Sequence, residues 1–257
     1  MFEIIPSWEQ IEDYLALSEK YGLAFEYNDF FAPALLDDSV RLEERVRKYK
    51  SLERPQGLDT LHGAFYDVLP FSWDSGIRKN SIYRMQQSVE IADELGCRGV
   101  VFHTNFNPDF LNNRKYRDNW LESMRTVISQ LLSGSSCEIY LENMFDQSPC
   151  ELEEEAALLQ DESRFGICLD IAHMRLATDE PQEWLRALAP YIRHFHINDT
   201  HLKYDDHLAL GQGSIDWKEM ETLLEKYGLK DKSRLIEVSG LDKIQESLKY
   251  CQMIGIG

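Results

Sequence analysis

Along this chain, short runs of β-branched and aromatic residues alternate with longer stretches whose apolar positions recur at helical spacing. The runs predict strands over 2–6, 23–28, 58–63, 99–104, 138–143, 165–171, 193–198 and 234–238. An amphipathic helix is expected from Ser7 to Tyr21, with others near 38–51, 78–95, 112–132, 149–161, 181–189, 214–227 and 241–253. Punctuation agrees: Pro181 follows Asp-Glu at a helix start, and Gly22, Gly96 and Gly228 stand at helix ends. Eight βα units of about 30–40 residues each, with no linker between them, predict a single (β/α)8 TIM barrel over residues 1–257. An open doubly wound sheet would gather its ligands at one switch point. Here nearly every strand end carries a reactive side chain.

Strand parity says where those side chains point, because alternate residues face opposite ways. Ile139 and Leu141 share one face, which leaves Glu142 on the other; Phe165, Ile167 and Leu169 pack outward, which turns Gly166, Cys168 and Asp170 to the axis. Glu237 shares its face with Leu235. Glu142, Asp170 and Glu237 are thus expected to converge at the C-terminal ends of the strands, where such barrels place their chemistry. Crowded carboxylates repel, so their pKa values are expected to rise. A divalent cation removes that cost, and His196 in HFHIND offers a nitrogen ligand beside them.

Further imidazole and acidic groups occupy equivalent positions: His62 in LHGAF, His103 in VVFHTNF, His173 in GICLDIAH, and Asp205 with His207 in DDHLALGQG. A lone histidine at a strand end is more often structural, but nine such residues together predict a metal site at the barrel mouth. Other candidates are weaker. His194 is expected in the core beneath His196, His201 in a loop, and Glu26 facing the axis or in a salt bridge. Gly211 and Gly213 form a G-x-G best read as a turn, and Cys168 reads as a small inward core residue.

Composition narrows the function. Asp and Glu outnumber Lys and Arg by 45 to 27, a net charge of −18. That field weighs against a nucleic-acid substrate, leaving room only for a local basic lip. Five cysteines stand singly, so neither a thiol zinc site nor a disulfide framework is supported. No apolar run approaches the roughly 18 residues of a membrane span, and residues 1–8 lack the features of a signal peptide. A cytoplasmic location is expected. No P-loop, nucleophile elbow or dinucleotide fingerprint is present.

Over essentially its whole length, from LAFEYN to RLIEVSG, the chain resembles the xylose-isomerase-like barrel superfamily, which includes endonuclease IV and many sugar isomerases and epimerases. GICLDIAH is similar to the family's G-x-C-x-D-x-x-H element, and DDHLALGQGSIDW to its D-x-H-x-x-x-G-x-G-x-I-D-W stretch. By this resemblance, all nine endonuclease IV ligand types are present at His62, His103, Glu142, Asp170, His173, His196, Asp205, His207 and Glu237. The epimerase members imply instead one ion, manganese, zinc or magnesium, on Glu142, Asp170, His196 and Glu237, with the two glutamates as acid and base. The chain departs from endonuclease IV in lacking its G-A-H-V-S strand and H-P-G element, and in showing no basic, aromatic-bearing loops for gripping a nucleotide. It departs from the ketose epimerases in having Lys203, not an arginine, nearest after the seventh-strand histidine.

Charge separates the two activities. One divalent ion among three carboxylates leaves about −1, suited to a neutral ketose; three ions with Asp205 added leave about +2, suited to a phosphate ester. The expectation is an isomerase or epimerase of a small sugar-like substrate, with Glu142, Glu237 and His173 in catalytic roles and an enediolate between two proton transfers. A multi-zinc phosphodiesterase is the alternative, and a silent ligand-binding barrel the third reading.

Overall fold

Every predicted apolar run forms a strand: β1 (Phe2–Ile4), β2 (Ala24–Tyr27), β3 (Thr60–His62), β4 (Gly99–His103), β5 (Glu138–Glu142), β6 (Phe165–Asp170), β7 (Ile192–Ile197) and β8 (Ser233–Ile236). In the computed structural model, which describes residues 1–256, they pair in parallel and in sequence order, and β1 closes on β8. The helices between them are α1 (Ile11–Tyr21), α2 (Pro33–Leu36), α3 (Ser39–Lys50), α4 (Ser75–Leu95), α5 (Arg114–Gly134), α6 (Cys150–Leu158), α7 (Ile171–Leu176), α8 (Pro181–Leu188), α9 (Trp217–Lys226) and α10 (Leu241–Ile254). The result is a (β/α)8 TIM barrel. No helix among the described residues is long and apolar enough to cross a membrane.

Local chemistry sets the helix ends. Gly22 closes α1 with φ 65°, a left-handed conformation that glycine adopts without strain. Asp74 caps α4 by accepting from the amides of Gly76 and Ile77. The predicted helix from Ser7 is instead a 3-10 turn, Trp8–Gln10, followed by α1, because the Ser7 hydroxyl is turned to Glu9 and caps nothing. Two helices were not visible in the pattern. α2 and α7 are too short to show an apolar stripe, and α7 begins at Ile171, inside the predicted 165–171 strand.

Parity holds along the strands. Ile139, Leu141, Ile167, Leu169, Phe195 and Ile236 lie in the core between barrel and helices, while Val101, Tyr140 and Cys168 form a separate apolar cluster inside the barrel. The interior floor is otherwise polar. The Thr60 hydroxyl lies 2.6 Å from Glu3 and 2.9 Å from Glu26, and Arg98 pairs with Glu3 at 2.7 Å. Polar groups thus occupy the floor of the axis as well as its C-terminal mouth.

Candidate metal centre

Register brings the mouth residues together. His103 lies opposite Glu142 across β4–β5, and Asp170 opposite His196 across β6–β7. Glu237 follows the last residue of β8, held by its amide donating to the Ile197 carbonyl at 2.9 Å. Donor atoms of Glu142, Asp170, His196 and Glu237 all lie within 4.8 Å of one another, and all four residues are buried. His196 Nδ1 stands 3.3 Å from Glu142 Oε1 and 3.5 Å from Glu237 Oε2.

Five atoms of this group have no hydrogen-bond partner: Glu142 Oε2, Asp170 Oδ2, both ring nitrogens of His196, and Glu237 Oε2. An unsatisfied buried polar atom costs on the order of 1–3 kcal/mol, more when charged. One orphan is a local defect; at least one on each of four converging side chains fits a cation held among them. The oxygen-rich set with a single imidazole suits manganese, magnesium or zinc.

Two further donor groups flank the first. The Nε2 atoms of His62 and His103 each lie 3.5 Å from Glu142 Oε2 and 3.1 Å from each other. On the other side, Asp205 Oδ2 is 2.8 Å from His207 Nε2 and 3.3 Å from His173 Nε2. His62, His173 and His207 share one device: Nδ1 donates to a backbone carbonyl, of Gly63 at 3.0 Å, Asn143 at 2.9 Å and Glu237 at 2.9 Å. A carbonyl only accepts, so Nδ1 carries the hydrogen and Nε2 is directed at the carboxylates. His207 takes a left-handed backbone, φ 45°, to aim its ring this way.

The pKa shifts differ from the uniform rise expected of crowded carboxylates. Burial pushes Asp170 up to about 7, only partly offset by His173. Burial also opposes charge on Glu142, but His196 and His103 hold it well below the ordinary range, and His196 likewise holds Glu237 down. The surrounding imidazoles overcome desolvation. Conversely, burial lowers His207 but Asp205 more than restores it, to about 9, while burial pushes His103 down to about 4. Without a cation, the cluster is a set of carboxylates balanced by shared protons.

Structural residues hold the donors in place. Asn143 exchanges hydrogen bonds with the backbone of Asp170, its amide accepting from the Asp170 N–H at 2.8 Å and donating to the carbonyl at 3.1 Å. Asp170 Oδ1 caps α7 through the His173 amide at 2.6 Å, which leaves Oδ2 to face the centre. The loop carrying Asp205 and His207 folds around Asp199, a buried carboxylate accepting from the amides of Thr200, Gly211 and Ile215 and from the Trp217 indole. The G-x-G is therefore a turn around the protein's own anion. A Cβ at Gly213 would lie 2.2 Å from Asp199 Oδ1, so only glycine fits.

The weaker candidates are placed as well. His194 is buried below His196, with Nδ1 2.8 Å from the Ser233 hydroxyl, and His201 is exposed in a loop. Glu26 faces the axis, 3.2 Å from His196 Nε2. Lys203 lies over the Tyr204 ring, away from the donors; the cation that reaches the site's edge is Lys243, which donates to the His207 carbonyl at 3.0 Å. Sequence reading singled out neither Lys243 nor Asn143 nor Asp199. It also missed the aromatics at the mouth: Tyr66, Trp73, Phe110 and Phe145 are all exposed there, supplied by three separate loops.

The family described as xylose isomerase-like TIM barrel matches residues 15–254, and the chain belongs to it. An uncharacterised Methanocaldococcus jannaschii protein, MJ1311, is 27% identical over 177 residues, which span 65% of this chain and 60% of that relative. Among solved structures, the TTHB071 protein of Thermus thermophilus, from a ZnCl2 soak, superposes with a TM-score of 0.79 at 25% identity, covering 100% of this chain and 98% of that one. A D-tagatose 3-epimerase-like protein gives 0.76 at 21%, over 98% and 96% of the two chains. Endonuclease IV from Thermus thermophilus gives 0.67 at 17%, over 98% of each. The family and its structural neighbours thus include both sugar epimerases and endonuclease IV.

Proposed function

We propose that the protein is a divalent-metal-dependent isomerase or epimerase acting on a sugar or sugar derivative. One observation carries this reading: donor atoms of Glu142, Asp170, His196 and Glu237 lie within 4.8 Å of one another, each of these side chains keeps an unpartnered atom, and the cavity beside them has no Lys or Arg among its described lining residues. A cation held by those four residues would supply charge compensation and polarise nearby substrate oxygens. Glu142 and Glu237 take and return a proton at the carbon next to the substrate carbonyl. His173, 3.6 Å from Glu142 and fixed by Asn143, orients a substrate oxygen.

The test is deuterium incorporation from heavy water into D-fructose and D-tagatose by protein loaded with manganese, zinc or magnesium. Metal-dependent exchange is expected; its absence with every metal would overturn the reading. A second reading, an endonuclease IV-like phosphodiesterase, is favoured by the two extra donor groups, His62/His103/Glu142 and His173/Asp205/His207. Two or three zinc ions per chain with phosphodiester cleavage would shift the assignment to it.

A further inference from the structure

A cavity of about 1130 Å³ opens above the donor groups, with His103, His173 and Asp205 in its floor. It exceeds the roughly 300–1,000 Å³ of sites that enclose drug-sized ligands, and is far larger than a single sugar fills. Seven of its lining residues are Phe, Tyr or Trp, among them Phe65, Phe71, Trp73, Phe110, Tyr116 and Phe145. Phe65 lies between Phe31 and the His103 ring, stacked on each at centroid distances of 4.7 and 5.0 Å.

Several polar groups in these walls are turned to the protein itself. Asn105 donates to the Val68 carbonyl, Asn107 accepts from the Asp109 amide, and Gln147 donates to the Phe145 carbonyl while accepting from Thr178. A second sugar ring laid against the aromatic walls would lose water from its hydroxyls and find few partners there. Charge excludes another class: Asp67, Asp146 and Asp205 line the cavity, and no described lining residue is a Lys or Arg to meet a phosphate.

We propose that the substrate is an uncharged conjugate, a polyhydroxylated ketone head reaching the donor groups joined to a flat apolar body lying in the aromatic cavity. The head rests on the proton-transfer reading; the body rests on the cavity alone. Because the anomeric carbon of a glycoside is an acetal, the carbonyl that acidifies the exchanged proton sits at another ring carbon if the joint is glycosidic. Aromatic stacking adds affinity beyond plain area burial, and a flat ring is the shape that realises it here.

The test is calorimetric titration of metal-loaded protein with the 4-nitrophenyl glycosides of glucose, galactose and mannose. The same sugars as methyl glycosides, the disaccharides cellobiose and maltose, and glucose 6-phosphate are titrated alongside. At least one aryl glycoside is expected to bind roughly tenfold or more tightly than its methyl counterpart. That margin should vanish in Trp73→Ala or Phe145→Ala, with metal content unchanged. Equal affinity for aryl and methyl forms, no aryl binding at millimolar concentration, an aryl margin that survives both substitutions, or tighter binding of a disaccharide or the phosphate would overturn the inference. Deuterium exchange into free ketoses reports separately. Exchange without aryl preference sinks only the apolar body, and aryl preference without exchange sinks only the proton-transfer chemistry.

Discussion

Glu142 belongs to two of the three donor groups at once: Oε1 faces His196, and Oε2 faces His62 and His103. Replacing it by glutamine removes one negative charge while keeping its shape. Glu142→Gln and Glu237→Gln are each expected to slow deuterium exchange by about 10²–10⁴-fold, the usual worth of a positioned acid or base. Turnover near wild type in either variant would contradict the assignment. Away from the site, Glu155 is buried in α6 with neither carboxylate oxygen bonded, and burial pushes its pKa up to about 8, partly offset by Arg125. Folded Glu155 therefore keeps a proton that the unfolded chain gives up near its ordinary value of 4.5. Its favourable contribution is full below that value and is lost as pH rises through about 8. Glu155→Gln should raise the melting temperature at pH 8.5, by on the order of 1–3 kcal/mol of stability, and change little at pH 5. Parity pointed to Glu142, Asp170 and Glu237 from the sequence because each ends, or directly follows, a strand of alternating character. Their ionisation was not legible, since it depends on imidazoles from other strands. Asn143 was missed for a related reason: its partner, the Asp170 backbone, lies one strand away.

At the scale of elements, the segment after β7 carries the most consequence for the site. Asp199 gathers three amides and an indole N–H, and the Asp205–His207 loop folds around it. Asp199→Ala should cost at least about 3 kcal/mol, since several buried donors lose a charged acceptor together. A urea midpoint reads that loss, and an unchanged midpoint would refute the account of the loop. Gly213→Ala should act in the same direction, because its methyl group would meet Asp199 and the Thr200 backbone. The sequence shows DDHLALGQGSIDW as a motif but not why it folds, because the closing carboxylate precedes it in the segment read as a strand end. Strands and long helices were legible from periodicity and caps. α2 and α7 were not, because four and six residues span barely one turn or two.

At the scale of the molecule, barrel closure turns side chains scattered from His62 to Glu237 into one rim of buried donors whose charges a cation would meet. Bound ions would stabilise the fold by mass action, by about 2.7 kcal/mol at a hundredfold excess over the dissociation constant. Stripping them with a chelator should lower the melting temperature by roughly 5–10 °C for a chain of this size; no change on chelation would mean that the donors are balanced by protons alone. The aromatic mouth was the part least legible from sequence, because its rings come from loops that share no period. The most direct test of the central claim is elemental analysis of protein purified without chelator, beside the Glu142→Gln/Asp170→Asn double variant. At least one divalent ion per chain is predicted in the wild type, and a clear loss in the variant. A wild-type protein that retains no divalent ion after incubation with manganese, zinc and magnesium, or a variant that binds as much as wild type, would contradict it.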